Sequence, residues 1–98
     1  MIDVTGDLEK AINLEECIVY FTASWCVPCR QLKPLYAKIG MQDGNRKYFV
    51  IDVDSIDKKY LNKYTLMSVP KIFKMAKGEI VKEITGRTEE AIINQIRE

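Results

Sequence analysis

Apolar positions in this chain follow two patterns, short unbroken runs and helically spaced stripes. The runs Cys17-Ile18-Val19-Tyr20-Phe21 and Tyr48-Phe49-Val50-Ile51-Asp52-Val53 lack alternation, which predicts strands covered on both faces. Ile2 to Val4 predicts a shorter strand ahead of them, stopped by Thr5-Gly6. Lys71 to Ala76 and Glu79 to Thr85 predict two more, joined through Lys77-Gly78 as an antiparallel hairpin. Between the strands the spacing turns helical. Asp7 is placed to cap a helix with Leu8, Ala11 and Ile12 on one face and Asn13 at its end. Leu32, Leu35, Tyr36 and Ile39 form the inner stripe of a longer helix, expected to stop at Gly40. Pro34 lies inside that helix, removes one backbone bond and should kink it. Gln42 to Lys47 reads as an exposed turn around Asp43-Gly44-Asn45. Asp54 or Ser55 would cap a short helix with Ile56, Tyr60, Leu61 and Tyr64 inward. Thr88 would cap a last one bearing Ala91, Ile92 and Ile96.

The predicted order is therefore β-α-β-α-β-α-β-β-α. Strands alternating with helices imply a mostly parallel sheet with helices on both faces, and the hairpin adds an antiparallel pair. The expected class is α/β, a mixed sheet of about five strands flanked by four helices. No repeats, linkers or low-complexity segments interrupt the pattern.

Composition narrows the function. With 98 residues the chain is expected to form one domain, 1–98, and 47% hydrophobic residues supply a core without staples. A net charge of +1 argues against a dedicated nucleic-acid or membrane-surface binder. No apolar run approaches the ~20 residues of a membrane span, and no basic stretch precedes an apolar one at the start. These features, with an odd count of three cysteines, lead us to expect a protein of the reducing cytoplasm. There is no histidine, so Cys-His and Ser-His-Asp catalysis are excluded. Zinc would have only Cys17, Cys26 and Cys29 as sulfur ligands, so neither a metal nor another cofactor is expected.

The remaining chemistry is concentrated in Ser24-Trp25-Cys26-Val27-Pro28-Cys29-Arg30. A CxxC between a strand and a helix puts its first sulfur at the helix N-terminus, where unpaired N–H groups favour a thiolate. Pro28 suits the first turn, where its missing N–H costs nothing. The two sulfurs lie one turn apart and can close a disulfide. So short a loop gains little stability from a crosslink, which points to a bond that is made and broken.

This stretch, from Phe21-Thr22-Ala23 onward, resembles the active site of the thioredoxin family. Pro34, Lys63-Tyr64, Val69-Pro70, Lys77-Gly78-Glu79 and Gly86 resemble further landmarks of that family in register, over essentially the whole chain. The resemblance implies the thioredoxin fold, with Cys26 as attacking nucleophile and Cys29 as resolving thiol of a redox-active disulfide. It implies a cis Pro70 and a shallow groove lined by Trp25, Val27, Pro28, Val69, Pro70 and Gly86. The Val69 backbone would pair with an extended substrate segment like an added strand. The implied activity is a monomeric protein-disulfide reductase, acting on disulfide-containing proteins and recharged by a thioredoxin reductase-type electron donor. An oxidase or isomerase, or a docking subunit of a larger enzyme, are the alternatives.

Several positions depart from the family pattern. Tyr20 stands where a buried aspartate is usual, and Val50 where its lysine partner is usual. Val27 replaces the usual glycine, and Lys71 the threonine after the cis-proline. Tyr20 and Lys71 are thus candidates for tuning the thiol pKa values. Their plainer readings are a core tyrosine bonded to backbone or water, and a solvated strand lysine. Cys17 reads as a small buried hydrophobe. Lys58, Lys59 and Lys63 read as an exposed helix face, and Met67 and Met75 as filling core or groove.

Overall fold

The computed structural model describes residues 2–98. Its strands are β1 (Ile2–Asp3), β2 (Cys17–Thr22), β3 (Lys47–Asp52), β4 (Lys71–Ala76) and β5 (Glu79–Ile84). Its helices are α1 (Leu8–Ile12), α2 (Val27–Gln42), α3 (Lys58–Lys63) and α4 (Glu89–Arg97). One sheet runs in the order β1-β3-β2-β4-β5, with β3 parallel to β1 and β2, and β4 antiparallel to β2 and β5. The mixed sheet and helix count match the sequence expectation, but the sheet is not mostly parallel, because β4 runs antiparallel to β2 as well as to β5.

Alternation in the central strands splits the interior into two cores. Cys17, Val19, Phe21, Phe49, Ile51, Phe73 and Met75 face one way, toward Leu8, Ile12 and Tyr64. Ile18, Tyr20, Tyr48, Val50, Ile72 and Ile84 face the other, toward Leu32, Tyr36, Ile39, Ile92 and Ile96. Because both faces are covered, every position from Cys17 to Phe21 is buried, and the run reads as continuously apolar. The Tyr36 hydroxyl is placed to donate to the carbonyls of Phe49 at 2.8 Å and Ile18 at 3.1 Å, tying α2 to two strands.

The β4–β5 turn is formed by Lys77 (φ 52°) and Gly78 (φ 82°), the two left-handed residues that a tight hairpin requires. Gly86 is needed for close approach instead. A Cβ there would sit 2.8 Å from the Ala91 Cβ and 3.0 Å from its carbonyl carbon, so α4 could not pack as it does.

Several boundaries differ from expectation. Helix α2 passes through Gly40 and ends at Gln42, with Asp43 as its cap residue. Gly40 lies inside the helix, where a Cβ would come 3.1 Å from the Tyr48 ring. Packing rather than capping explains this glycine. Residues 53–55 form a 3-10 turn capped by Asp52, and α3 starts later, with the Asp57 carboxylate accepting from the Lys59 N–H. Asp54 and Ser55 do not cap it. Asp7 precedes α1 but makes no side-chain cap, because residues 5–7 already form a 3-10 turn. β1 and β5 each end one residue early, at Asp3 and Ile84. Met75 is core, whereas Met67 is 90% exposed in the loop before Pro70.

Candidate active site

Central strand β2 ends at Thr22, and residues 23–26 turn the chain from its C-terminal end into α2. Cys26 occupies the N-cap in an extended conformation, with Pro28 in the first turn. The Cys29 N–H points at the Cys26 sulfur at 3.2 Å, so one orphan donor of the helix terminus already addresses that atom. This is the arrangement in which an N-terminal amide stabilises a thiolate on reduction. Cys26 and Cys29 are paired as a disulfide, with Cα atoms 5.3 Å apart. Cys26 keeps 4% exposure and Cys29 none, so an incoming partner meets Cys26 first.

The surroundings come from three separate segments. The Val69 carbonyl oxygen lies 3.5 Å from the Cys26 sulfur, and the Val69-Pro70 peptide is cis. Neither the N–H nor the C=O of Val69 takes a backbone hydrogen bond among the described residues. Trp25 and Val27 are exposed, and Val69, Pro70 and Gly86 half-buried. Pro28 and Pro70 share a cleft with Leu32 and Leu35 of α2. Gly86 closes the loop before α4, its N–H donating to the Gln95 side chain at 2.7 Å.

Tyr20 and Lys71 have different fates. Tyr20 is fully buried, and its hydroxyl donates to the Cys29 carbonyl at 2.5 Å. It is both a core residue and a direct support of the first turn of α2. Val50 lies beside it in register on β3, so no cation faces it where the family's lysine would be. Lys71 sends its ammonium to the Glu83 carboxylate, 3.5 Å away on β5. The sulfurs are not its partner, which leaves Lys71 without the tuning position considered from the sequence.

Two neighbours were not legible beforehand. The Trp25 indole N–H donates to Asp54 at 2.8 Å, fixing the exposed ring across 29 positions of sequence. Asp54 had only the look of a helix cap. Arg87 joins Pro28 and Pro70 at the cleft, with no motif to mark it.

Titration behaviour follows from burial. Burial pushes the Cys17 thiol from 9.0 to about 11, with Glu16 adding to the rise, and the Tyr20 phenol from 10.0 to about 12. Tyr36 rises for the same reason. Each group keeps its proton when folded at pH values where the unfolded chain has lost it. For Cys17 and Tyr20 this stabilisation is complete below about pH 9 and is lost as pH rises through about 11 and 12, on the order of 2–3 kcal/mol each. With no histidine to titrate near neutrality, oxidised protein should show a flat urea midpoint from about pH 6 to 8 and a steep decline above about pH 9.5. Cys17→Ala should make that decline shallower; an unchanged slope would contradict the assignment.

The family model described as Thioredoxin matches residues 3–98. Thioredoxin H3 of Arabidopsis thaliana is 32% identical over 92 residues, covering 93% of this chain and 77% of its own length. A peptide-N(4)-(N-acetyl-beta-glucosaminyl)asparagine amidase of Caenorhabditis briggsae is 30% identical over 90 residues, but this chain spans only 15% of its length. The solved thioredoxin of Plasmodium falciparum superposes with a TM-score of 0.84 at 25% identity, covering 99% of this chain and 97% of that one.

Proposed function

Because the chain belongs to the thioredoxin family and is a thiol–disulfide oxidoreductase, we propose that it works as a protein-disulfide reductase. The observation that carries this reading is the pairing of Cys26, which keeps 4% exposure at a helix N-cap, with a fully buried Cys29 one turn behind it. In the reduced state the Cys26 thiolate attacks one sulfur of a substrate disulfide. A Cys26–substrate bond forms, the substrate S–S bond breaks, and one substrate sulfur leaves as thiolate. Cys29 then gives up its proton and attacks the Cys26 sulfur, re-forming the 26–29 bond and releasing the second substrate thiolate. Two electrons and, after protonation, two protons pass to the substrate. A thioredoxin reductase-type donor must return the electrons.

Ionisation of Cys26 alone accounts for little of the rate. A thiol of pKa ~8.5 is about 3% thiolate at pH 7, and lowering it to ~7, the value characteristic of the thioredoxin motif, gives about half. The roughly 15-fold gain is offset ~5-fold by weaker nucleophilicity at a Brønsted slope near 0.5. Better leaving ability and the preorganised second step therefore matter at least as much. The Val69 N–H and C=O, neither taken by a backbone hydrogen bond among the described residues, support docking of an extended segment beside Cys26, with Trp25, Val27, Pro28, Pro70 and Gly86 forming the groove. The reading further includes a monomeric single domain, 1–98, acting in the cytoplasm; no helix among the described residues is long and apolar enough to cross a membrane.

The reduction potential of the 26–29 couple tests the direction of flux. Equilibration with glutathione should place it well below the glutathione poise, at ~30 mV per tenfold in the equilibrium constant. A potential well above that poise would make the protein an oxidant and overturn the reductase reading.

A further inference from the structure

We propose that Arg87 is a specificity-determining residue that favours substrate segments carrying Asp or Glu close to the disulfide cysteine. The inference rests on the exchange reading above and concerns which disulfides are taken. The cleft beside the redox pair has a volume of about 410 Å³ and is lined by Pro28, Gln31, Leu32, Leu35, Pro70 and Arg87. Its walls are thus mostly apolar, with a single charged side chain. Lys71, directly after Pro70 on β4, does not line this cleft and is paired with Glu83. Asp54, the acid beside the site, accepts the Trp25 indole.

Arg87 is held but not neutralised. One Nη donates to the Gly86 carbonyl at 2.8 Å and lies 3.5 Å from the Ile84 carbonyl. Arg87 forms no ion pair with a carboxylate among the described residues. Anchoring through one nitrogen leaves the rest of the planar fork free for a carboxylate, a geometry that lysine would not reproduce. Arg87 is exposed at the rim of this apolar cleft, so its attraction for an acidic group is steering that salt weakens. A substrate segment pairing with Val69 would pass Pro70 and place its neighbouring side chains in this cleft. Charge complementarity then selects an acidic residue there, beside an apolar one that covers Leu32 and Leu35.

The test uses short peptides with one cysteine activated as a mixed disulfide with 2-nitro-5-thiobenzoate, flanked by Glu, Gln or Lys. Second-order rates for the reduced protein should fall in the order Glu, Gln, Lys, spanning about fivefold at ~20 mM salt and shrinking at ~0.5 M. Arg87→Gln should collapse the Glu-to-Lys ratio to within about twofold, whereas Arg97→Gln, the same charge change at the far end of α4, should leave it standing. A ratio near one in the wild type, a ratio that survives Arg87→Gln, or one equally lost in Arg97→Gln would overturn the proposal. Failure to release thiol from any peptide would instead count against the reductase reading. In that event the same peptides with serine for cysteine decide the present question by NMR. A saturable shift of the Arg87 Nε–H with the Glu peptide and not the Lys peptide supports the proposal, and no shift overturns it.

Discussion

Cys29→Ser is expected to turn the protein from a catalyst into a trap, accumulating Cys26–substrate mixed disulfides, while Cys26→Ser should reduce nothing above the uncatalysed rate. The structure supplies the reason for the asymmetry. Cys26 retains slight exposure and lies 3.5 Å from the Val69 carbonyl, which takes no backbone hydrogen bond, whereas Cys29 is sealed behind it. A substrate therefore bonds to Cys26, and only Cys29 is placed to release it. Well-oriented intramolecular groups act at effective concentrations on the order of 10⁵ M or more, which no external thiol at millimolar levels can match. Mass spectrometry of each variant incubated with a disulfide substrate reads the adducts directly. Alkylation of the reduced wild type should modify Cys26 first. Prior modification of Cys29 would reverse the two roles.

The second large effect concerns Tyr20. Tyr20→Asp should raise the Cys26 pKa, speed resolution of the mixed disulfide near pH 7, and destabilise the fold. An anion near the sulfurs disfavours a second negative charge, and the same carboxylate can accept the Cys29 proton. At present the Tyr20 phenol, pushed up to about 12 by burial, cannot act as a base near neutrality. Its hydroxyl instead donates to the Cys29 carbonyl. Resolution thus relies on water or the departing thiolate to take the proton. The destabilisation follows because an acid at position 20 would sit beside Val50 without a paired cation, a change worth about 3–5 kcal/mol. Tyr20→Phe separates the contributions. It removes one hydrogen bond to the Cys29 carbonyl, at a cost of about 0.5–1.5 kcal/mol, without adding a base, so resolution should not accelerate. Stopped-flow traces and the pH profile of alkylation give both quantities; if Tyr20→Asp folds and neither moves, Tyr20 acts only as packing.

Local chemistry and local order were legible in short windows of the chain. The runs 17–21 and 48–53, which mark the strands Cys17–Thr22 and Lys47–Asp52 to within a residue, were visible because a sheet covered on both faces demands unbroken apolar stretches. The Lys77-Gly78 hairpin was visible because left-handed residues in a two-residue turn leave a compositional mark. The CxxC announced itself because two sulfurs one turn apart at a helix start have few structural uses. Boundaries were less secure where several residues had equal local claims. Asp52, Asp54, Ser55 and Asp57 can all cap, and packing of the 3-10 turn settled which ones do. Gly40 resembles a helix stop until Tyr48 is seen against it.

What each covered residue touches depends on how the strands are ordered and the helices packed. Periodicity tells that Tyr20 is buried, but strand order and register bring its hydroxyl to Cys29 and set Val50 beside it. The β4–β5 register carries Lys71 to Glu83 and away from the sulfurs, a matter that alternation alone left open. Asp54 reaches Trp25, and Arg87 reaches Pro28 and Pro70, across separations that leave no periodic trace. The physical reason is common to all four. Burial and turn formation are written into short windows of sequence, whereas contacts between segments arise only when the sheet orders its strands and the helices pack against it.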